Sequence, residues 1–145
     1  MFIVTGTPGT GKTTFAKKYA KENGLVYLNG NDIIAENSLV DEVDEERDVN
    51  VIDESKFADV CVSLSKDYES KGKNIIIDSH LSHYIDPKFV EKCFVMHCDL
   101  SVLNERLKKR GYSNAKVREN LDSEIFNICE LEAKDIGHNI EIITS

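Results

Sequence analysis

The sequence predicts an α/β three-layer sandwich, a parallel sheet held between two layers of helices. Three observations carry that expectation. Apolar runs of strand length alternate with segments of helical periodicity, and strands separated by helices pair in parallel. A glycine-rich loop, Gly6-Thr7-Pro8-Gly9-Thr10-Gly11-Lys12-Thr13, joins the first apolar run to the first helical one. The run "NIIID", Asn74 to Asp78, is apolar at each interior position, as a strand covered on both faces requires.

The elements follow in order. Phe2 to Thr5 is a short buried strand that ends in the glycine-rich loop. Thr13 to Asn23 pairs Phe15 with Tyr19 and Ala16 with Ala20 at i,i+4 spacing, and Gly24 stops that helix. Leu25 to Leu28 reads as a second strand. Asn29 to Asp53 is acidic and weakly patterned, so it is expected to leave the core. Glu54 to Lys71 carries Phe57, Val60, Cys61, Leu64 and Tyr68 on one helical stripe, closed by Gly72. Asn74 to Asp78 and Cys93 to His97 are further strands. Asp99 caps a helix bearing Leu100, Leu103 and Leu107, and Ser113 caps a longer one bearing Val117, Leu121, Ile125 and Ile128. Glu141 to Thr144 supplies a last short strand. No repeat, low-complexity tract or linker divides residues 1–145, so a single domain is expected.

Composition narrows the function classes. The 145 residues suffice for one core without staples. Eighteen Lys and Arg against 26 Asp and Glu give a net charge of -8, which disfavours non-specific binding to nucleic acid and suits a basic protein partner. The four cysteines, Cys61, Cys93, Cys98 and Cys129, form no C-x-x-C pair, so they read as small buried hydrophobes with free thiols and not as a zinc or redox site. No signal peptide opens the sequence and no apolar run reaches membrane-span length, so a soluble, intracellular protein is expected.

The first motif matches G-x-x-x-x-G-K-[ST] in full, with a strand before it and a helix after it. Gly9 and Gly11 let backbone N–H groups turn toward phosphate oxygens, and the following helix adds its positive end. Lys12 can reach the β- and γ-phosphates of a nucleoside triphosphate, and the Thr13 hydroxyl can ligate Mg²⁺. The second motif is "IIIDSHLSH". Asp78, ending an apolar strand, suits a Walker B acid that holds Mg²⁺ directly or through water. His80 faces the same mouth and could orient an attacking water, polarise a phosphate or bind substrate. His83 reads as a surface histidine, and His97 and His138 as structural or solvated. The third is "ERLKKRGYS", where Arg106 and Arg110 stand one helical turn apart beside Lys108 and Lys109, with Arg118 on the same basic side. A helix end opposing its own dipole would explain the cluster, but an arginine lid over transferring phosphates is the sharper reading. A GTPase fits poorly: the sequence has no N-K-x-D motif, and Asp78-Ser79-His80-Leu81 lacks the glycine of D-x-x-G.

"TGTPGTGKTT", "DEERD", the "DSH" after a buried strand and "ERLKKRGYS…EN…EIF" together resemble the adenylate kinase isoenzyme-six family, also described as coilin-interacting nuclear ATPases, with archaeal relatives. The resemblance runs through nearly the whole chain. It implies a P-loop NTPase fold of the nucleoside monophosphate kinase type, with a five-stranded parallel sheet, an NMP-binding segment at about 29–52 and a short lid at about 109–119. It implies adenylate kinase activity together with ATPase activity. In eukaryotes it also implies a role in maturing the small ribosomal subunit through a basic ribosomal protein. Matched residue by residue, the ATP site is Gly9, Gly11, Lys12, Thr13 and Thr14, Arg110 is the lid arginine, and Asp78 and His80 form the family's D-x-H Walker B. Where some members carry an arginine in the NMP helix this chain has Glu36, and Arg47 is the nearest candidate substitute. The sequence ends in "EIITS", where relatives usually continue through a loop and another helix.

Three functions follow as expectations: a monomeric cytoplasmic enzyme, also nuclear in a eukaryote, that converts ATP and AMP to two ADP; an ATPase switch that acts as an assembly factor; or a P-loop kinase for another small metabolite.

Overall fold

The computed structural model describes residues 1–45 and 49–145. Five parallel strands form the central sheet: β1 (Phe2–Gly6), β2 (Val26–Asn29), β5 (Ile75–Asp78), β6 (Lys92–His97) and β7 (Ile140–Thr144), in the spatial order β2-β5-β1-β6-β7. The remaining strands, β3 (Val40–Asp44) and β4 (Val49–Ile52), make a separate antiparallel hairpin. The helices are α1 (Lys12–Asn23), α2 (Gly30–Glu36), α3 (Glu54–Ser70), α4 (Leu100–Lys109), α5 (Asn114–Ile125) and α6 (Ile128–Ile136).

The central strands are apolar on both faces because both faces are covered. On one side Ile3, Ile75, Ile77, Cys93 and Val95 pack with Phe57 and Cys61 of α3 and Ala133 of α6. On the other, Val4, Ile76, Phe94 and Met96 pack with Ala16 and Ala20 of α1. The Phe94 ring there meets Phe15 at 4.9 Å and Tyr19 at 4.8 Å between centroids, separations at which tilted aromatic pairs attract. The three-layer expectation therefore holds, and so does the pairing of five parallel strands.

Three expectations change. The second strand runs one residue later than Leu25 to Leu28, because its register pairs Asn29 with Asp78. The segment Asn29 to Asp53 does not leave the core. Its α2 buries Ile33 and Ile34, and Leu39 joins them; only the hairpin that follows projects outward. Few apolar residues in a short helix give too weak a period to read from sequence. Last, the helix capped by Ser113 does not continue to Ile128. It ends at Ile125, and Asn127 adopts a left-handed conformation (φ 52°) from which α6 starts in a new direction. Asparagine tolerates that conformation better than most residues.

Caps fix the elements that frame the cleft. The Asn29 side chain accepts from Asn31 N at 2.8 Å and starts α2 directly from β2. Asp53 accepts from Ser55 N and Lys56 N to start α3. Gly30, the first residue of α2, lies so close to the loop after β5 that an added Cβ would stand 2.4 Å from Ser79 Cβ. This close approach holds α2 beside the end of β5.

Candidate active site

A cleft of about 750 Å³ opens at the carboxyl ends of β1, β2 and β5, where ligands bind in open parallel sheets. The loop from β1 to α1 forms its floor. Gly9 there has φ +92°, and an added Cβ would lie 2.9 Å from Leu103 Cδ1, because α4 packs against the back of the loop. Any other residue would be strained and crowded at that position. Helix α1 begins at Gly11 without a side-chain cap, which leaves its first-turn N–H groups and positive end available to an anion.

Lys12 donates from Nζ to Gly6 O at 3.0 Å and Thr7 O at 3.2 Å, so the ammonium lies across the loop's own carbonyls. Burial lowers its pKa to about 8, with the Asp78 charge opposing that shift and Arg110 adding to it. Asp78 ends β5 and is buried. The Thr13 hydroxyl donates to Asp78 Oδ2 at 2.5 Å. The paired oxygens expected to meet a divalent ion are thus brought together. One hydroxyl and one carboxylate, beside phosphate oxygens and water, form the hard-oxygen set that Mg²⁺ prefers over an all-protein cage. The described residues hold no cluster of three His, Cys, Asp or Glu side chains that would form such a cage.

His80 lies exposed on the cleft wall, two residues past Asp78. Protein atoms packed around the cleft desolvate the ring even though it meets solvent, and with the charges of Lys12, His83 and Lys116 this lowers its pKa to about 4. His80 is therefore neutral at physiological pH and can exchange hydrogen bonds without adding charge. Arg110, at the C-cap of α4, is exposed and lines the cleft with Gly9, Gly11 and Thr14. The structure thus gathers Gly9, Gly11, Lys12, Thr13, Thr14, Asp78, His80 and Arg110 around one space.

Other residues fall elsewhere. Arg106 does not reach over the cleft: its guanidinium donates to Gly9 O at 3.1 Å, to Cys98 Sγ and to Ser145 Oγ, which fastens α4 to the back of the loop. Arg118 pairs with Asp122 on its own helix at 3.2 Å. His83 is buried, with Nδ1 2.6 Å from Thr5 Oγ1. His138 is buried too and meets His83 O at 2.8 Å. His97 bridges two carboxylates, Glu124 and Glu130. Cys129 is half-buried and lines the cleft, and burial pushes its thiol up to about 11, so it stays protonated. Arg47 lies outside the described residues.

Two residues at the site had no motif to announce them. Tyr27 donates to Asp78 Oδ2 at 2.7 Å, and Asn29 Nδ2 donates in turn to the Tyr27 hydroxyl at 3.2 Å. Burial first, and then this hydrogen bond to Asp78, raise the Tyr27 pKa to about 12, which keeps the phenol a donor. Lys116, in the first turn of α5, lines the cleft. The i,i+2 spacing of Tyr27 and Asn29 on one strand face was the available signal for the first. The second carried none beyond its place in a basic stretch.

A family model described as an AAA domain matches residues 3–127. A Caenorhabditis elegans protein named "Adenylate kinase isoenzyme 6 homolog" is 32% identical over 148 residues, covering 99% of this chain and 80% of the relative. The chain belongs to the adenylate kinase isoenzyme 6 family. A Methanocaldococcus jannaschii protein named "Putative adenylate kinase" is 36% identical, covering 95% of this chain and 74% of its own. Among solved structures, a sugar kinase from Janibacter superposes with a TM-score of 0.67 at 19% identity, covering 99% of this chain and 83% of that one. A shikimate kinase from Bacteroides thetaiotaomicron superposes at 0.61 and 17% identity. These two show the fold alone. This isoenzyme 6 family member is an adenylate-kinase-like P-loop kinase, a phosphotransferase that uses a nucleotide. Among the described residues, no helix is long and apolar enough to cross a membrane.

Proposed function

We propose that the protein transfers the γ-phosphoryl group of ATP to AMP, giving two ADP, and that it hydrolyses ATP when water takes the acceptor's place. One observation carries the reading. The same cleft that holds Lys12, Asp78, His80 and Arg110 is also lined by Ile34 and Ala35 of α2 and Val40 and Ile52 of the hairpin. In this reading those apolar side chains seat the acceptor nucleotide, in keeping with an NMP-binding segment over about 29–52.

In this reading the glycine loop and the α1 N-terminus bind the β- and γ-phosphates, and Lys12 leaves its carbonyls to pair with the transferring group. Thr13 and Asp78 hold Mg²⁺, which would neutralise phosphate charge as it redistributes. A phosphate oxygen of AMP forms the new bond to the γ-phosphorus. The bond from that phosphorus to the β,γ-bridging oxygen breaks, and its electron pair stays with the departing ADP. Arg110, in the lid at about 109–119, offsets charge on the oxygens in flight. His80, neutral, accepts a hydrogen bond from water in the hydrolytic reaction.

A second reading has its own observation. The hairpin projects Asp41, Glu42 and Glu45 with an exposed Val43, an acidic surface suited to a basic protein. An ATPase switch docked in this way on a basic ribosomal protein during small-subunit maturation, in cytoplasm or nucleus, would use the same phosphate site. ADP formation from ATP and Mg²⁺, measured with and without AMP, tests the first reading. AMP should raise ADP output well above hydrolysis. Unchanged output with hydrolysis intact would sink the kinase reading and leave the switch.

A further inference from the structure

Beneath the phosphate loop lies a chain of polar groups that the chemistry above does not use. Glu124, in the last turn of α5, is only 7% exposed. One oxygen accepts from the Thr7 hydroxyl at 3.1 Å. The other accepts from Cys98 N at 2.9 Å and stands 3.0 Å from His97 Nδ1. His97 Nε2 lies 2.8 Å from Glu130 on α6, and Glu130 takes Lys134 at 2.8 Å. A buried carboxylate is tolerated only when donors surround it, and here the donors come from the phosphate loop, the end of β6 and the residue after it.

The loop end of this chain is what gives it a role. Thr7 is a loop residue, and its carbonyl accepts three donors: Thr10 N at 3.3 Å, Thr10 Oγ1 at 2.6 Å and Lys12 Nζ at 3.2 Å. Whatever fixes Thr7 fixes the seat of Lys12. Glu124 does so from the helix that also carries Lys116 into the cleft.

We propose that Glu124 is a positioning residue of the phosphate loop: by holding the Thr7 hydroxyl it sets the loop's phosphate-binding shape and ties that shape to α5. The competing explanation is a brace that merely fastens α5 to the sheet. The two differ in what the Thr7 contact alone contributes. The inference rests on nucleotide binding at this loop and not on which acceptor takes the phosphate.

The test compares Thr7→Val, Thr7→Ser, Glu124→Gln and the double variant Thr7→Val/Glu124→Gln. The readouts are ATP affinity by calorimetry, turnover and melting temperature. Thr7→Val removes the hydroxyl bond and should weaken ATP binding about ten- to a hundredfold, the loss expected for a hydrogen bond to a charged group. Thr7→Ser should restore affinity to within about twofold. The double variant should lose little more than the worse single one, since contacting residues couple. Wild-type affinity in Thr7→Val, or losses that multiply in the double variant, would overturn the proposal and leave a brace. Because ATP affinity is read directly, a failure of the AMP reading leaves this outcome separately visible. If Glu124→Gln does not fold, the Thr7 pair still decides.

Discussion

The Tyr27 hydroxyl donates to Asp78 Oδ2 at 2.7 Å, the same oxygen that receives the Thr13 hydroxyl at 2.5 Å. A β2 residue thus orients the carboxylate of β5 that faces the helix start. The sheet register makes this possible, because it sets Tyr27 beside Ile76 and Asn29 beside Asp78. Tyr27→Phe removes that donor without changing the ring's bulk. A hydrogen bond to a charged group is worth about 1.5–3 kcal/mol. The Mg²⁺ concentration for half-maximal turnover should therefore rise roughly tenfold or more, with little change in ATP binding measured without metal. An unaltered Mg²⁺ requirement would show that Thr13 alone suffices to orient Asp78.

We predict that Lys12 sets a pH limit on nucleotide binding. Its pKa is lowered to about 8, chiefly by burial. In the proposed reading it is the ammonium form that binds phosphate; that form predominates below about 8 and is lost as pH rises through it. ATP affinity should hold steady from neutrality down and weaken above about 8, approaching tenfold per pH unit. Lys12→Ala should abolish that dependence and lower turnover by about a hundredfold or more. Calorimetric titration at several pH values checks the first part, and a pH-independent wild type would contradict it.

The sequence showed what is contiguous and missed what the sheet assembles. The phosphate loop is one uninterrupted motif, and "IIID" is apolar because two layers cover it; both could be read directly. Tyr27 reaches Asp78 through strand register and Glu124 reaches the loop through a helix turn, and neither belongs to a contiguous motif. The apolar stripe through Val117, Leu121, Ile125 and Ile128 hid a break, since a left-handed Asn127 leaves no trace in periodicity. His83 looked solvated because its partner, Thr5 on β1, lies 78 positions away. Arg106 and Arg110 share a helix face in sequence, but the helix ends between their roles: one grips the back of the loop and the other faces the cleft.

Gly30 ties stability to cleft shape. An added Cβ would sit 2.4 Å from Ser79 Cβ and 2.8 Å from Asp78 O, so the backbone at α2 or at the end of β5 must move. Overpacking of this kind costs about 1–3 kcal/mol. Gly30→Ala should lower the thermal midpoint by several degrees, on the order of 4 °C per kcal/mol for a domain of this size. It should also weaken AMP more than ATP if α2 lines the acceptor site as proposed. Equal loss of both nucleotides would place α2 outside acceptor binding.

We predict that His80 separates the two proposed reactions. It lines the cleft two residues past Asp78 and is neutral, with a pKa lowered to about 4 by the enclosing walls and the nearby charges of Lys12, His83 and Lys116. A neutral imidazole can accept a hydrogen bond from water and orient it toward the γ-phosphorus. In the proposed transfer AMP would need no such help, since it brings its own charged oxygen. His80→Ala should therefore lose ATP hydrolysis by about ten- to a thousandfold, the range for a positioned polar group, while transfer to AMP falls much less. The wild-type hydrolysis rate should also show no inflection near the ordinary histidine pKa of about 6.5, because His80 has already lost its proton well below that pH. Parallel loss of hydrolysis and transfer would assign His80 to holding Asp78 or the fold. Undiminished hydrolysis would mean that the attacking water is ordered by another group on the same wall.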